Sequence, residues 1–392
     1  MWALRLPYAL YMIDNTIFMD ALENMRAMAR GVALRPIPVH VSLGMAELAK
    51  RQVMSGTVNA ELPAMMAGIS AYQAHPFRRA AAPVETVWER GQVKLYRYPT
   101  KGRSGGGIFI TPSMINRSVI LDLLPEKSFT RWLAGRGFDV FLLDWGVPIK
   151  DDGMKTMDGV IVERLLPAME FAAGEAGGKI HALGYCMGGT LLAAGAVLCP
   201  EALHSTTFLA SPWDFHAGDA ALARYIQDGT AAAQVMMDQS GILPAEWIQS
   251  VFASINAERT VSKFAGFAAR AQDDDAARLF VAVEDWLNEG IDLPAGVART
   301  CLHDWYGENA PGQGVWAVDG VKVDLSALDV PALVVASAQD RLVPAESSLA
   351  MAKILPRVET FTPEIGHIGM MSGRKSKTVV WEKVAGWLSG LP

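Results

Sequence analysis

The chain has 392 residues, 51% of them hydrophobic and 19% charged, which is long enough for a large core plus a second domain or a long insertion. Its net charge of -6 and pI near 5.7 exclude the clustered basic surface of a nucleic-acid-binding protein. Three cysteines are too few for a disulfide framework, and no spacing suggests a zinc site, so a reducing cytoplasm and no bound metal are expected.

Residues 1–85 are predicted to form an appended helical segment. Apolar residues recur there at spacings of three and four, with breaks near Pro36 and Pro63. The many methionines of this segment suit either core packing or a soft surface for a partner or a hydrophobic particle. The apolar start of the chain meets Asp14, so it is too short for a membrane span and predicts no export signal.

Residues 86–392 are predicted to form a catalytic domain in which strands alternate with helices. This alternation indicates a mostly parallel sheet with right-handed crossovers and helices on both faces. The predicted strands are residues 93–98, 108–110, 139–143, 180–183, 206–209, 330–336 and 358–361. The predicted helices in the first half of the domain are residues 121–133, 160–173 and 190–197.

The alternation stops over an insertion at about residues 212–293, which has a helical pattern. Its place between the two halves of the sheet is typical of a cap that controls access and excludes water, although extra helices at the sheet edge are the alternative. Four apolar side chains are candidates to line a channel under such a cap, while ordinary packing explains any one of them equally well. They are Trp213, Phe215, Trp247 and Phe252.

The stretch Gly184-Tyr185-Cys186-Met187-Gly188 follows a predicted strand and precedes a predicted helix. This is the pattern of the nucleophile elbow of an α/β-hydrolase fold, with Cys186 where serine usually stands. Gly184 and Gly188 would avoid collisions around the strained nucleophile, and the helix N-terminus would lower the thiol pKa. The alternative is a small-residue turn with a buried cysteine.

Asp340 and His367 complete a candidate triad. Asp340 comes just after the strand at residues 330–336, and His367 lies between glycines after the strand at residues 358–361. The order nucleophile, acid, histidine is that of the α/β hydrolases. Each residue has a simpler alternative, because Asp340 could cap a turn and His367 could be an ordinary loop histidine.

Several motifs resemble those of the poly(3-hydroxyalkanoate) synthases. Cysteine in place of serine and the DWG motif are the most discriminating of these features, since the triad order fits any esterase. The resemblance spans the chain from about Val93 to the C-terminus. The motifs are INRSVILDLLPEKSF from Ile115, FLLDWG from Phe141, GYCMGG from Gly184, SPWDF from Ser211, DLSALDVPALVVASAQDRLVP ending at Pro344, and GHIG from Gly366.

This resemblance implies chain-growth acyl transfer without a cofactor. A 3-hydroxyacyl-CoA would load its acyl group onto Cys186, and the hydroxyl of one unit would attack the thioester of another. His367 would deprotonate Cys186 and protonate the departing CoA thiolate, while Asp340 would orient His367 or help to activate the hydroxyl. The oxyanion would be held by the backbone N–H of Met187 and by one of three amides, those of Ser113, Met114 and Ile115.

The chain departs from the family pattern at Arg341, where family members usually have histidine. The N-terminal segment matches no family motif and is intermediate in length, so a second synthase subunit and a homodimer both stay open, as does the acyl chain length. A cytoplasmic enzyme, associated with the growing polyester or its granule, is expected. The competing hypotheses are a cysteine hydrolase, either a thioesterase or an intracellular depolymerase, and a non-catalytic protein that binds granules or a partner synthase.

Overall fold

A computed structural model describes residues 35, 39–55, 61–80, 83–100, 102, 105–218, 221–255, 257–270 and 273–391 of the chain. The chain divides into two compact units, each built from two segments. The sheet unit comprises Ala80–Arg224 and Ile291–Pro392, and the helical unit comprises Met1–Arg79 and Tyr225–Gly290. The first 34 residues of the predicted N-terminal helical segment lie outside the described residues.

An eight-stranded sheet forms the core of the sheet unit. Its strands are β1 (Glu85–Arg90), β2 (Val93–Tyr98), β3 (Gly107–Thr111), β4 (Asp139–Asp144), β5 (Ile180–Tyr185), β6 (Leu203–Leu209), β7 (Ala332–Val335) and β8 (Val358–Phe361). The spatial order is β1-β2-β4-β3-β5-β6-β7-β8. β2 is antiparallel to both of its neighbours, β1 and β4, and every other adjacent pair in the sheet is parallel. The central strands β3 and β5 are buried along their whole length, as parallel strands covered on both faces must be.

The predicted strands are confirmed to within a few residues, and β1 was not predicted. The helices are α1 (Val39–Ser55), α2 (Glu61–Ala74), α3 (Phe129–Gly135), α4 (Leu166–Glu175), α5 (Met187–Leu198), α6 (Ala221–Ser240), α7 (Ala245–Ser254), α8 (Ala257–Ala268), α9 (Asp275–Leu287), α10 (Ala295–Arg299), α11 (Ala345–Ala352), α12 (Gly369–Ser372) and α13 (Glu382–Ser389). Wider π-type turns occupy Gly159–Leu165, Thr300–Gly307 and Lys377–Trp381. Among the described residues, no helix has both the length and the apolar character needed to cross a membrane.

The prediction of one helix over residues 121–133 is wrong. Residues 122–124 and 127–128 instead form a small antiparallel hairpin, and α3 begins only at Phe129. Pro125 is the reason, because proline cannot donate within a helix but suits the first central position of a turn. Ser128 then caps α3 by accepting a hydrogen bond from the backbone N–H of Arg131 at 3.0 Å.

The helical unit joins the N-terminal helices α1 and α2 to the helices of the insertion. One apolar cluster contains buried side chains from both segments, namely Val41, Leu48, Met65, Ile69, Tyr72, Val261, Phe264, Phe267, Ala277 and Val281. Polar contacts also link the segments, since Asp285 accepts hydrogen bonds from Arg35 at 2.7 Å and from the Tyr72 hydroxyl at 2.9 Å. Of the methionines predicted to pack or to form a soft surface, Met65 is fully buried and Met54 is 78% exposed.

Gly68 allows α2 to pack closely on α8, because a Cβ at this position would collide with the backbone carbonyl of Phe264. We expect Gly68→Ala to lower the free energy of unfolding by about 1–3 kcal/mol, the range of overpacked core substitutions. Urea denaturation of the purified variant measures this loss. Gly266 in α8 is the matched control, since its Cβ would meet nothing within 4 Å. Gly266→Ala should stabilise by about 0.5–1 kcal/mol, and equal effects of the two substitutions would contradict the packing role of Gly68.

The register of the parallel strands brings their carboxyl ends level at one edge of the sheet. Thr111 of β3 pairs with Gly184 of β5, and Leu209 of β6 pairs with both Tyr185 and Val335. Loops that leave these ends therefore meet at the same edge, where open α/β sheets place their ligands.

Candidate active site

Cys186 lies at the sharp turn between β5 and α5, with φ 57° and ψ -133°. A non-glycine residue rarely adopts this backbone conformation, and it persists only where surrounding contacts hold it. Two hydrogen bonds do so here: the Cys186 amide donates to the Leu209 carbonyl at 2.9 Å, and the Gly189 amide donates to the Cys186 carbonyl at 2.9 Å. The turn presents a half-buried thiol at the carboxyl edge of the sheet and directly before the first turn of α5.

Three glycines leave room for this turn. A Cβ on Gly184 would strike the backbone of Gly189, and one on Gly188 would strike the carbonyls of Thr111 and Pro112. A Cβ on the third glycine, Gly189, would collide with the side chain of Ser211. Gly184 and Gly188 were expected from the motif, whereas the constraint on Gly189 comes from the loop after β6 and has no signal in the local pattern.

Asp340 and His367 lie at the ends of adjacent strands and form a hydrogen bond of 2.6 Å between Asp340 Oδ2 and His367 Nδ1. The other carboxylate oxygen accepts from the backbone amides of Leu342 and Val343, each at 2.9 Å. These bonds fix the carboxylate, and through it the ring of His367, leaving Nε2 as the ring atom free to exchange a proton. Arg341, which departs from the family pattern, has an exposed side chain.

The surroundings of His367 favour its charged form. Burial opposes a charge on the imidazole, but the Asp340 carboxylate, followed by Tyr185 and then Cys186, outweighs burial and holds the pKa of His367 well above its ordinary value. Cys186 is therefore close enough to His367 to interact with its charge. Within the described part of the chain, no hydrogen bond joins the Cys186 thiol to the imidazole; such contacts often tighten only when substrate binds.

The loop after β3, predicted to supply an oxyanion donor, lies against the elbow through the Gly188 contact described above. The indole N–H of Trp145 donates to the Pro112 carbonyl at 2.9 Å and so anchors the start of this loop. The Ile115 amide donates to Ser113 Oγ at 3.2 Å, while Met114 is fully buried. Of the three predicted loop donors, Ile115 thus already has a partner, which favours the amides of Ser113 and Met114.

The DWG motif explains how that anchor is held in place. Asp144 accepts from the Gly146 amide at 2.7 Å and from the Ser118 hydroxyl at 2.8 Å. Arg117 donates to the Gly146 carbonyl at 2.7 Å, and Gly146 has φ 63° with no room for a Cβ beside Gln92. The sequence identified the motif only as a family marker; its structural role is to support the loop that follows β3.

Aromatic side chains surround the loops near the nucleophile. Trp213 and Phe215, two of the predicted channel-lining residues, are buried in the sheet unit. Phe215 stacks on Trp305 at 5.5 Å and packs edge-on against Tyr306 at 4.9 Å between ring centroids. Burial raises the pKa of Tyr306, and the Cys186 thiol adds to the increase, which places this tyrosine near the nucleophile. The other two predicted residues, Trp247 and Phe252, lie half-buried in α7 of the helical unit.

Asn309 ties together two of the loops that carry these aromatic residues. Its side-chain carbonyl accepts from the Phe215 amide at 2.8 Å, and its amide group donates to Asp214 at 2.8 Å. Asn309 is 3% exposed and has φ 54°, a conformation that asparagine tolerates better than most residues. Neither Asn309 nor Tyr306 was predicted from the sequence, because neither belongs to a motif whose chemistry is evident from the local sequence.

A parallel sheet with a strained cysteine elbow, followed by an aspartate and a histidine at later strand ends, defines an α/β hydrolase with a cysteine in the nucleophile position. A family model described as the alpha/beta hydrolase fold matches residues 120–373. The chain belongs to the α/β hydrolase family.

Three curated relatives that this chain resembles are each named poly(3-hydroxyalkanoate) polymerase subunit PhaC. That of Haloferax mediterranei is 30% identical over 78% of this chain and 64% of its own length. That of Haloarcula marismortui is 29% identical over 78% of this chain and 67% of its own length, and that of Allochromatium vinosum is 26% identical over 79% and 88%. The chain thus spans about two thirds of the first two relatives, and the resemblance predicted from the motifs is confirmed.

Proposed function

We propose that this chain catalyses polymerisation of 3-hydroxyacyl-CoA into polyhydroxyalkanoate through a covalent acyl-cysteine. The observation that carries the proposal is the elbow cysteine beside an Asp340–His367 pair, in a chain whose relatives are named as polymerase subunits. A thiolate is both a good nucleophile towards a thioester and a good leaving group, so it suits a reaction in which the acyl group must be accepted and passed on.

The raised pKa of His367 supports a resting state in which the imidazole carries a proton beside a thiolate. In the first step the Cys186 sulfur attacks the thioester carbon, the carbon–sulfur bond to CoA breaks, and the imidazolium of His367 gives its proton to the departing CoA thiolate. The backbone N–H of Met187 and one from Ser113 or Met114 would hold the oxyanion.

In the second step the hydroxyl of another 3-hydroxyacyl unit attacks the acyl-cysteine. His367, now neutral, takes the hydroxyl proton, an ester bond forms, and the Cys186 thiolate is released. Asp340 stabilises the imidazolium in both steps through the bond to Nδ1. Water must not compete with the hydroxyl, and the buried side chains of Phe215 and Trp305, together with the half-buried Tyr306, supply apolar walls that disfavour its entry.

The test is incubation of the purified full chain with 3-hydroxybutyryl-CoA, with released CoA measured by its thiol and the product separated into polymer and free acid. Polymer with stoichiometric CoA is expected, and it should be absent with Cys186→Ala. Free 3-hydroxybutyrate as the sole product would overturn the proposal and leave the cysteine-hydrolase alternative. No CoA release would favour the non-catalytic alternative, unless addition of a partner subunit restores polymer formation.

A further inference from the structure

Tyr185, the residue immediately before the nucleophile, packs against the histidine of the candidate triad. Its side chain is 2% exposed and ends β5. The phenol and imidazole ring centroids of Tyr185 and His367 are 5.3 Å apart, with their planes 31° from parallel. The Tyr185 hydroxyl donates to the backbone carbonyl of His367 at 3.2 Å. One side chain therefore contacts both the ring face and the main chain of His367.

His367 is consequently supported on separate sides. Asp340 holds Nδ1 at 2.6 Å, and the Met370 amide shares the His367 carbonyl with Tyr185, donating at 3.3 Å. A carbonyl oxygen has two lone pairs, so this one is fully used. Asp340 sets the tautomer and rotation of the ring, but it does not by itself set the distance from the ring to the thiol.

We propose that Tyr185 is a positioning residue that fixes the imidazole of His367 at the distance and angle needed to exchange a proton with Cys186. Tyr185 and Cys186 share one peptide group in a turn whose backbone is held by the hydrogen bonds of Cys186 and Gly189. The hydrogen bond from the Tyr185 hydroxyl links this rigid peptide group to the backbone carbonyl of His367. Tyr185 therefore connects the nucleophile directly to the base. That role rests on the Cys186–His367 chemistry of the proposed function.

The competing explanation is that Tyr185 serves only to pack the core. The Tyr185 hydroxyl distinguishes this packing role from the positioning role. Burial raises the pKa of Tyr185, so the hydroxyl stays protonated and acts as a donor at every working pH. Phenylalanine would fill the same space, which means that packing alone does not require the hydroxyl. Tyr98 offers a matched comparison in the same unit, because it is 6% exposed and its hydroxyl donates to Asp122 at 2.9 Å, away from the triad.

The experiment measures the rate of alkylation of Cys186 by iodoacetamide from pH 6 to 9.5, a range around the ordinary thiol pKa of about 8.5. Cys199 and Cys301 are buried, and burial raises their pKa to about 11 and about 12, so the labelling reports Cys186. Tyr185→Phe should react about three- to tenfold more slowly than wild type at pH 6–7, the factor expected for loss of one hydrogen bond. The two proteins should converge at pH 9.5, where an ordinary thiol ionises without help.

Tyr98→Phe should keep the wild-type pH profile, with a denaturation midpoint that falls as much as that of Tyr185→Phe. The turnover of 3-hydroxybutyryl-CoA by Tyr185→Phe should show a lower kcat with KM unchanged. Incorporation of 4-aminophenylalanine at position 185 keeps a donor at the same point of the ring and should restore the wild-type profile.

A Tyr185→Phe profile that overlies wild type, while His367→Gln is slowed at pH 6–7, would overturn the positioning role and leave the proposed chemistry intact. The positioning role would also be overturned if the folded variant with 4-aminophenylalanine at position 185 were alkylated as slowly as His367→Gln. This second result applies even if Tyr185→Phe proved insoluble. Equal alkylation rates for wild type and His367→Gln would instead show that Cys186 and His367 do not pair. That result would overturn the proposed function as well.

Discussion

Cys186→Ala is expected to lower CoA release from 3-hydroxybutyryl-CoA by at least ~10⁴-fold, the scale seen when a covalent nucleophile is removed. The substitution deletes only the sulfur atom. Because alanine retains the Cβ, the strain at φ 57° and the hydrogen bonds of the elbow should be unchanged, and the fold should survive. The measurement is the initial rate of thiol release, with circular dichroism and urea denaturation to establish that the variant is folded.

Cys199→Ala and Cys301→Ala are the matched controls for this loss. Both thiols are buried, at 3% and 9% exposure, and burial raises the pKa of each to about 11 and about 12, so neither is suited to act as a thiolate. Each control should retain CoA release within about twofold, apart from a stability loss that follows from the cavity. Turnover by Cys186→Ala at the wild-type rate would rule out a covalent mechanism through Cys186.

His367→Gln is expected to lower the rate of CoA release by ~10²–10⁴-fold, the usual contribution of a positioned acid–base group. The glutamine amide can still donate a hydrogen bond to the Asp340 carboxylate, but it cannot carry the proton between Cys186 and the departing CoA. The raised pKa of His367 means that the imidazolium persists above pH 6.5, and its charge favours a thiolate beside it. Iodoacetamide labelling should therefore be slower in the variant over pH 6–8.

His303 is a suitable control for this substitution. It also pairs with an aspartate, since its Nδ1 lies 2.9 Å from Asp304, and the pKa of His303 is raised by that hydrogen bond, but its side chain is 71% exposed. His303→Gln should leave both turnover and labelling unchanged. If His367→Gln labels as fast as wild type throughout pH 6–8, His367 does not pair with the thiol.

The strands and the elbow were predictable because their signals are local. A buried parallel strand reads as a short apolar run, and the elbow needs glycines within two residues of the nucleophile, so both patterns are contiguous. Asp340 and His367 were also predictable, since each follows a strand whose carboxyl end must share one edge of the sheet. The structure brings the two side chains together with a 2.6 Å hydrogen bond, and their catalytic roles stay a prediction.

The failures have a common physical origin in contacts between distant parts of the chain. The roles of Tyr185 and Asn309 depend on a carbonyl or an amide that another loop brings alongside, and neither partner is visible from the local sequence. The division into units was not predicted for the same reason: the N-terminal helices and the insertion were treated separately, whereas their apolar faces share one cluster. The mistaken helix at residues 121–133 came from following apolar spacing across Pro125.

The discontinuity of the helical unit has a consequence for how the chain is made. Tyr72 bonds to Asp285, which follows it by 213 positions, and Arg35 bonds to the same carboxylate across 250 positions. At a synthesis rate of about 5–20 residues per second, α2 leaves the ribosome about 10 to 40 s before α9 exists. Throughout that interval the side chains of Met65 and Ile69 lack the neighbours that α8 and α9 contribute to their apolar cluster, so the nascent chain must be shielded by a chaperone or risk aggregation.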